Sequence, residues 1–348
     1  MAIFRMQLKT FGRLPSGKRL ERIKKSPHYV DGRFQNLEET EMMAKGVSYP
    51  ALMFDFFFRK PGNREPSITL PSVRTDLKTT REEPSIIWFG HSSYLITVSG
   101  KNTLVDPVFS ERASPMQFAG SKHFEFATPY SVDDFPFIDL LIITHDHYDH
   151  LDYNSIRGLR SKVGLICTSL GVGEHLVSWG IDESQIMEFD WWENALVLPR
   201  IELTATPSRH FSGRGLKRFQ TLWSSFVLQA DGLRIFIGGD SGYDGSFRKI
   251  GEQFGPFNLA ILECGQYNER WPYIHMVPEQ TVKASMDLKS DVLMPVHWGK
   301  FSLSLHPWNE PIRRAATAAE QMKVRITTPV MGERLNLLDI SAGSRWWE

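Results

Sequence analysis

The 348-residue chain carries 40 Lys and Arg against 40 Asp and Glu, so its formal charge at pH 7 is zero. That balance excludes the bulk basicity of a nucleic-acid-binding chain and the acidic excess of a solvating tail. At 41% hydrophobic and 12% aromatic content there is material for one large core or two ordinary ones.

The first 25 residues hold eight basic side chains and one acid, Glu21. They lack the apolar core and small-residue cleavage site of a signal peptide. After Ser16, a helix N-cap, Leu20 and Ile23 share one face while Lys18, Arg22 and Lys25 point elsewhere. This reads as a solvated helix, with attraction to anionic lipid head groups as the sharper alternative. Residues 51–58, ALMFDFFF, are apolar and aromatic until Lys60-Pro61-Gly62 breaks them. Eight residues cannot span a bilayer, and no segment reaches the roughly 20 apolar residues that would. The stretch is expected to pack over the main body, with a lipid-facing role as the alternative. The expected location is cytoplasmic, with peripheral membrane contact as an extension of that reading.

From residue 84 the pattern becomes regular. Strands are predicted at 86–89, 94–98 and 103–105, the last two joined by a turn at Gly100-Lys101-Asn102. A continuous apolar strand over 140–144 runs directly into HDHYDHLD. Next come a helix at 153–160, a strand at 163–167, a helix at 171–179 and an alternating strand at 200–206. Residues 222–230 and 233–238 read as a hairpin across Asp231-Gly232. Thereafter the order is helix (244–253), strand (259–262), helix (278–288), strand (292–296), helix (309–322), and a final strand pair near 324–338. Hairpins mixed with β-α alternation argue for sheets covered by helices, an α/β architecture. Cys167 and Cys264, far apart and each ending an apolar run, fit buried thiols in a reducing compartment.

His145-x-His147-x-Asp149-His150 is dense in metal-competent side chains and stands where a buried strand stops. Neutral imidazole and carboxylate oxygen suit zinc and neighbouring transition metals, and a tight loop can aim them at two adjacent ions. His210, Asp240 and His297 each follow a predicted strand, and strand ends converge on one sheet edge. Ser92 and Ser93 lack a partner acid for nucleophilic catalysis, and the glycines of GGDSG and SGRG lack P-loop spacing.

At this point the chain resembles a known family. THDHYDHLD with the downstream His, Asp and His is similar to the metallo-β-lactamase superfamily, which implies a four-layer αββα sandwich with a dinuclear site along one edge. WFGHSSYLI, LVDPVFSERASP, HYDHLDYNS, SRHFSGRG, GGDSGY and PVHWGKF resemble the branch containing N-acyl-phosphatidylethanolamine-hydrolysing phospholipase D and its bacterial relatives. The likeness runs from about residue 11 to 338 and includes FGRLPSGKRLERIKKSPHYVDGRFQN. It divides the chain into an N-terminal extension, 1–80, packing on a hydrolase domain, 81–348.

The resemblance implies that His145, His147 and His210 bind one metal, that Asp149, His150 and His297 bind a second, and that Asp240 bridges them. QYNERWPYIHMVPEQ matches the branch too and places His275 near the site as a substrate or transition-state contact. Redox di-iron members of the superfamily carry Glu where His147 stands, so His147 favours hydrolysis. Two zinc ions are the expected cofactor, with manganese or iron as alternatives. Asp149 is expected both to bind metal and to orient the attacking hydroxide. His91 is expected to steady a ligand by hydrogen bonding, and Tyr148, Tyr153 and Tyr243 to shape the pocket.

The expected function is phospholipase D-type hydrolysis of an N-acyl-phosphatidylethanolamine-like or other lipid phosphodiester. A related L-ascorbate-6-phosphate lactonase makes carbonyl hydrolysis, on a lactone or amide, the alternative. A non-catalytic metal-binding scaffold is the non-enzyme alternative. No basic stripe surrounds the motif, so nucleic acid is not an expected partner. Oligomeric state is left open.

Overall fold

The computed structural model describes residues 9–58, 62–79 and 83–348. The expected boundary at residue 80 lies outside the described residues. The chain opens with helix α1 (Gly17–Ile23), a small hairpin of β1 (Tyr29–Val30) and β2 (Arg33–Phe34), and helix α2 (Tyr49–Phe58). A seven-stranded sheet follows from β3 (Ser85–Trp88), β4 (Tyr94–Val98), β5 (Lys101–Val105), β6 (Ile138–Ile143), β7 (Val163–Ser169) and β8 (Ile186–Phe189). Its seventh member is β15 (Arg334–Asn336), and the order is β15-β3-β4-β5-β6-β7-β8. The second sheet has six strands: β9 (Asn194–Leu198), β10 (Ile201–Pro207), β11 (Ser224–Ala230), β12 (Leu233–Ile237), β13 (Leu259–Glu263) and β14 (Leu293–Val296). Its order is β14-β13-β12-β11-β10-β9.

Alternation along the strands builds the layers. In β6, Leu140 and Ile142 enter the core between the sheets, while Leu141 and Ile143 face outward. In β13, Leu259 and Ile261 join the same central core, while Ala260 and Leu262 face the other way. The outward face of the first sheet is covered by α3 (Tyr153–Leu159) and α4 (Gly173–Ser178), through Ile156, Leu159 and Leu176. The second sheet is covered by α5 (Ser246–Phe254), α6 (Pro278–Asp287) and α7 (Glu310–Met322), through Phe247, Ile250, Val282, Ala318 and Ala319. The result is helix, sheet, sheet, helix: the αββα sandwich. Both faces of each sheet are buried, which is why the central strands read as unbroken apolar runs. Cys167 and Cys264 are free thiols buried in the central core.

Several details depart from the sequence reading. The β4–β5 turn is Ser99-Gly100, one residue earlier than expected, with Val98 paired to Lys101. The Asp231-Gly232 hairpin forms with both residues at positive φ, the type I′ geometry; Asp31-Gly32 repeats it between β1 and β2. The edge strands β8 and β9 are only partly buried and lack a clean alternation to reveal them. The expected pair at 324–338 splits instead. Ile326 bridges to Leu293 in one sheet, while β15 pairs with β3 in the other.

The N-terminal helix is docked rather than solvated. Ile23 is buried with Phe34, Leu170, Trp191, Leu222 and Trp223. Arg19, its side chain only 9% exposed, meets Glu174 and Glu188, both at 2.8 Å, and Arg22 meets Glu193 at 2.7 Å. Two of the basic side chains are thus consumed by ion pairs with the body of the protein. Lys18, Lys24 and Lys25 stay exposed. Asp55 of α2 is buried and pairs with Arg270, while Phe54 is half exposed. No helix among the described residues is long and apolar enough to cross a membrane.

Candidate metal centre

Strands β3, β5 and β6 run in one direction in the first sheet, and β10, β12, β13 and β14 run together in the second. Their C-terminal ends therefore deliver side chains to one edge of the sandwich. His91 follows β3, Asp106 follows β5, and His145, His147, Asp149 and His150 follow β6. His210 follows β10, Asp240 follows β12, Glu263 ends β13, and His297 follows β14.

Two ligand sets assemble there. His145, His147, His210 and Asp240 form one, and His91, Asp149, His150 and His297 the other; within each, the ligand atoms lie inside 4.8 Å of one another. His147 Nδ1 is 2.9 Å from His145 Nε2 and 3.2 Å from His210 Nε2. Nitrogens about 2.0 Å from a tetrahedral ion would stand roughly 3.3 Å apart, so three imidazoles converge with nearly that spacing. Asp240 spans both sets. Its Oδ1 is 3.1 Å from His150 Nε2 and from His297 Nδ1, and its Oδ2 lies 3.8 Å from His145 Nε2 and 3.7 Å from His210 Nε2. Although they face each other at 3.1 Å, the buried His150 Nε2 and Asp240 Oδ1 form no hydrogen bond and have no other hydrogen-bond partner among the described residues. Buried polar atoms left unpaired are costly, and a cation held between these residues would satisfy both. The donor set and its spacing fit a metal centre.

The rings are turned by hydrogen bonds on their far sides. His150 Nδ1 lies 2.7 Å from Asp106 Oδ2, and His210 Nδ1 donates to the Ile274 carbonyl at 2.8 Å. Thr144 donates its backbone N–H and its hydroxyl to Asp106, at 2.8 and 2.6 Å, and its Oγ1 is 3.0 Å from His145 Nδ1. Donation from Nδ1 leaves the Nε2 lone pair facing the centre, the tautomer a metal needs. His91 Nε2 lies 2.9 Å from Asp149 Oδ2. His91, Asp106 and His297 are all non-glycine residues at positive φ, backbone strain gathered at the site.

Electrostatics favour a cation. Burial, reinforced by neighbouring histidines, holds His145 well below the usual imidazole range, the neutral form that ligates. Burial likewise lowers His210 and His297. Burial would raise Asp149 and Asp240, but His150 and its neighbours outweigh it and keep both carboxyls well below the ordinary carboxylate value. Against its own burial, Asp240, Asp149 and Asp106 in turn hold His150 well above the usual imidazole range, a positive charge that a bound cation would replace.

Around this centre lies a frame that sequence reasoning missed. Asp106, in LVDP, gave no signal beyond an acid after a strand. Asp146 is 2% exposed and accepts from Gly213 N–H at 2.7 Å and Thr221 Oγ1 at 3.0 Å, with His175 Nε2 at 3.2 Å. Arg214, also buried, donates to the carbonyls of Asp146 and Leu151, both at 2.7 Å, and to that of Thr10. It therefore ties the metal-site loop to the N-terminal segment. Tyr148 donates to the Arg214 carbonyl at 2.5 Å and lies under its guanidinium. Two expectations need correcting. Tyr153 packs beneath the helix layer against Trp179 rather than lining the site, and Tyr243 turns to Phe247 and Asp287. Both follow ligand-bearing segments in sequence, but α3 and α5 draw their rings into the outer layers. His275 does reach the site, its ring centroid 5.1 Å from His210 and 5.3 Å from His297.

An αββα sandwich with a histidine- and aspartate-rich centre at one sheet edge defines a metallo-β-lactamase-type hydrolase. The chain matches the Beta-lactamase superfamily domain over residues 101–298 and belongs to that superfamily. It is 37% identical to an uncharacterised protein of Mycobacterium tuberculosis, over 92% of this chain and 87% of that one. It is 30% identical to N-acyl-phosphatidylethanolamine-hydrolyzing phospholipase D 1 of Caenorhabditis elegans, over 71% of this chain and 74% of the relative. Among solved structures it shares its fold with Igni18, a metallo hydrolase of the archaeon Ignicoccus hospitalis (TM-score 0.55, 21% identity, 72% of this chain and 97% of that one). The protein is a metal-dependent hydrolase of this superfamily.

Proposed function

We propose that the protein is a zinc-dependent phosphodiesterase that hydrolyses a lipid-like phosphodiester in the phospholipase D manner. The observation that carries this reading is the pair of adjacent ligand sets, with Asp240 of the first reaching His150 and His297 of the second. Likeness to the nematode phospholipase D supports the choice of substrate class. Zinc ions held by these ligands would supply Lewis acidity and a hydroxide near neutral pH. Asp149 and Asp240 are the only acids in the two sets, so two dications leave the site net positive, which suits a phosphodiester monoanion. His91 Nε2 fixes the Asp149 carboxylate through Oδ2, leaving Asp149 to orient the attacking water. His275 stands where both ligand sets are within reach of its ring and serves as the substrate contact. The exposed Lys18, Lys24 and Lys25 and the half-exposed Phe54 support contact with a lipid surface.

The test is metal quantitation on protein purified without added zinc, followed by kcat/KM on N-acyl-phosphatidylethanolamine, simple phosphodiesters and a lactone panel. Two zinc per chain with phosphodiesters strongly preferred is the expected result. Loaded protein that prefers lactones would move the reading to carbonyl hydrolysis, and loaded protein inert towards every ester would sink it.

A further inference from the structure

His275 is not alone at the rim of the centre. Its Nδ1 lies 3.1 Å from Oε2 of Glu263, the last residue of β13, whose side chain is 1% exposed. The other carboxylate oxygen accepts the Met276 N–H at 2.8 Å and the Ser241 N–H at 3.4 Å. Glu263 is thus held by the backbone beside Asp240 and by the residue after His275. The loop bearing His275 is pinned as well, since the carbonyl just before it, Ile274 O, accepts from His210 Nδ1. The His275 side chain keeps 12% of its surface open, and Nδ1 is the ring nitrogen that is hydrogen-bonded among the described residues. A carboxylate on one nitrogen and an open second nitrogen is the arrangement by which an imidazole is oriented for proton transfer.

We propose that Glu263 is a positioning residue for hydrolysis: it holds His275 by Nδ1–H so that Nε2 protonates the departing oxygen. The inference rests on the hydrolase reading of the same centre but not on the electrophile being phosphorus. Hydroxide derived from water bonds to the electrophilic atom, and the bond to the departing oxygen breaks with its electron pair on that oxygen. The departing oxygen takes the Nε2 proton, the other proton of the water passes to solvent, and solvent reprotonates Nε2. An alkoxide is a poor leaving group and needs that proton; a nitrophenolate does not.

Asp240, Glu263, His275 and His297 also offer ligand atoms within 4.8 Å of one another, so a third metal position is the competing assignment. The two backbone N–H donors on Glu263 Oε1 already occupy that oxygen, which speaks against it.

The test compares wild type, Glu263→Gln, His275→Gln and the double variant, all zinc-loaded. Each is assayed on an alkyl and a nitrophenyl ester that share one phosphoryl group, and on a matching pair of carboxylic esters. Glutamine at 263 keeps a carbonyl for Met276 N–H, and His275→Gln probes the pair from its more exposed side should the first variant fold poorly. We expect kcat/KM on the alkyl ester to fall at least about tenfold in both single variants, general acids being worth roughly 10²–10⁴-fold. In each single variant the loss on the nitrophenyl ester, which shares any lost substrate contact, should be at least about threefold smaller than the loss on the alkyl ester. Metal content should stay at the wild-type value, and the double variant should be no worse than His275→Gln. Equal losses on both leaving groups, loss of a metal equivalent in Glu263→Gln, or additive losses would each overturn the proposal. If wild type cleaves only the carboxylic esters, the phosphodiester reading fails while the leaving-group contrast on those esters still decides the role of Glu263.

Discussion

Asp106→Asn probes whether the frame behind the ligands sets metal affinity. The aspartate is 1% exposed, and its two oxygens accept the Thr144 N–H, the Thr144 hydroxyl and His150 Nδ1–H. Asparagine matches its shape, so packing is preserved. Its NH2 must nevertheless face either His150 Nδ1–H or the Thr144 N–H, and each choice sets donor against donor. The easiest relief is for His150 to move its proton to Nε2, the nitrogen beside Asp240, which removes it as a ligand. Losing a charge-assisted hydrogen bond costs about 1.5–3 kcal/mol, and partners behind metal ligands are typically worth about 10–100-fold in metal affinity. We therefore expect zinc affinity, read by chelator competition, to fall by about 10–100-fold, and activity at limiting zinc to fall with it. Unchanged affinity, within about threefold of wild type, would refute the idea that Asp106 sets the His150 tautomer.

Other predictions probe the frame and the core. A Cβ at Gly12, where φ is +70°, would sit 2.1 Å from His175 Nδ1, so Gly12→Ala should destabilise the protein by about 1–3 kcal/mol in urea melts; a change under about 0.5 kcal/mol would dismiss the docking of this segment. Stripping metal with a strong chelator should lower the melting temperature and zinc should restore it, because the ligands bind only in the folded chain; an unchanged melt would mean that the folded state gains nothing from the ion. Lys300 is buried, donating to the carbonyls of Phe89 and Val108, and burial pushes its ammonium down to about 7 from 10.5, with Asp152 opposing. Between those two values the unfolded chain binds the extra proton, so stability rises with pH there and is lost as pH falls towards 7. Wild type should thus gain about 2 kcal/mol relative to Lys300→Met between pH 7 and 9, and parallel pH profiles for the two proteins would count against a buried, neutralised lysine.

The ligand cluster was readable because its members are packed into one short loop. His145, His147, Asp149 and His150 lie within six positions, and their density alone set them apart from core or turn residues. His210, Asp240 and His297 are single residues after strands, and only the company of that loop gave them meaning. Asp106 and Glu263 carried no such signal. Each is one acid after an apolar run, locally indistinguishable from a turn residue, and its importance comes from a histidine that is distant in the chain or lies on another loop. Arg19 and Arg22 likewise read as a charged helix face because the glutamates that receive them are more than 150 positions away.

By itself the sequence determined the local geometry: alternating strands, the Asp231-Gly232 turn, and a histidine loop at the end of a buried strand. These depend on neighbours within a few residues, where steric limits and hydrophobic period act directly. The tertiary structure decided what those pieces face. It placed β15 beside β3, drew Tyr153 and Tyr243 into the helix layers, docked the N-terminal segment on Arg214, and brought Asp106 and Glu263 behind the histidines. Such pairings follow from the packing of two whole sheets, whose burial free energy is shared across the core and leaves no mark at any single position.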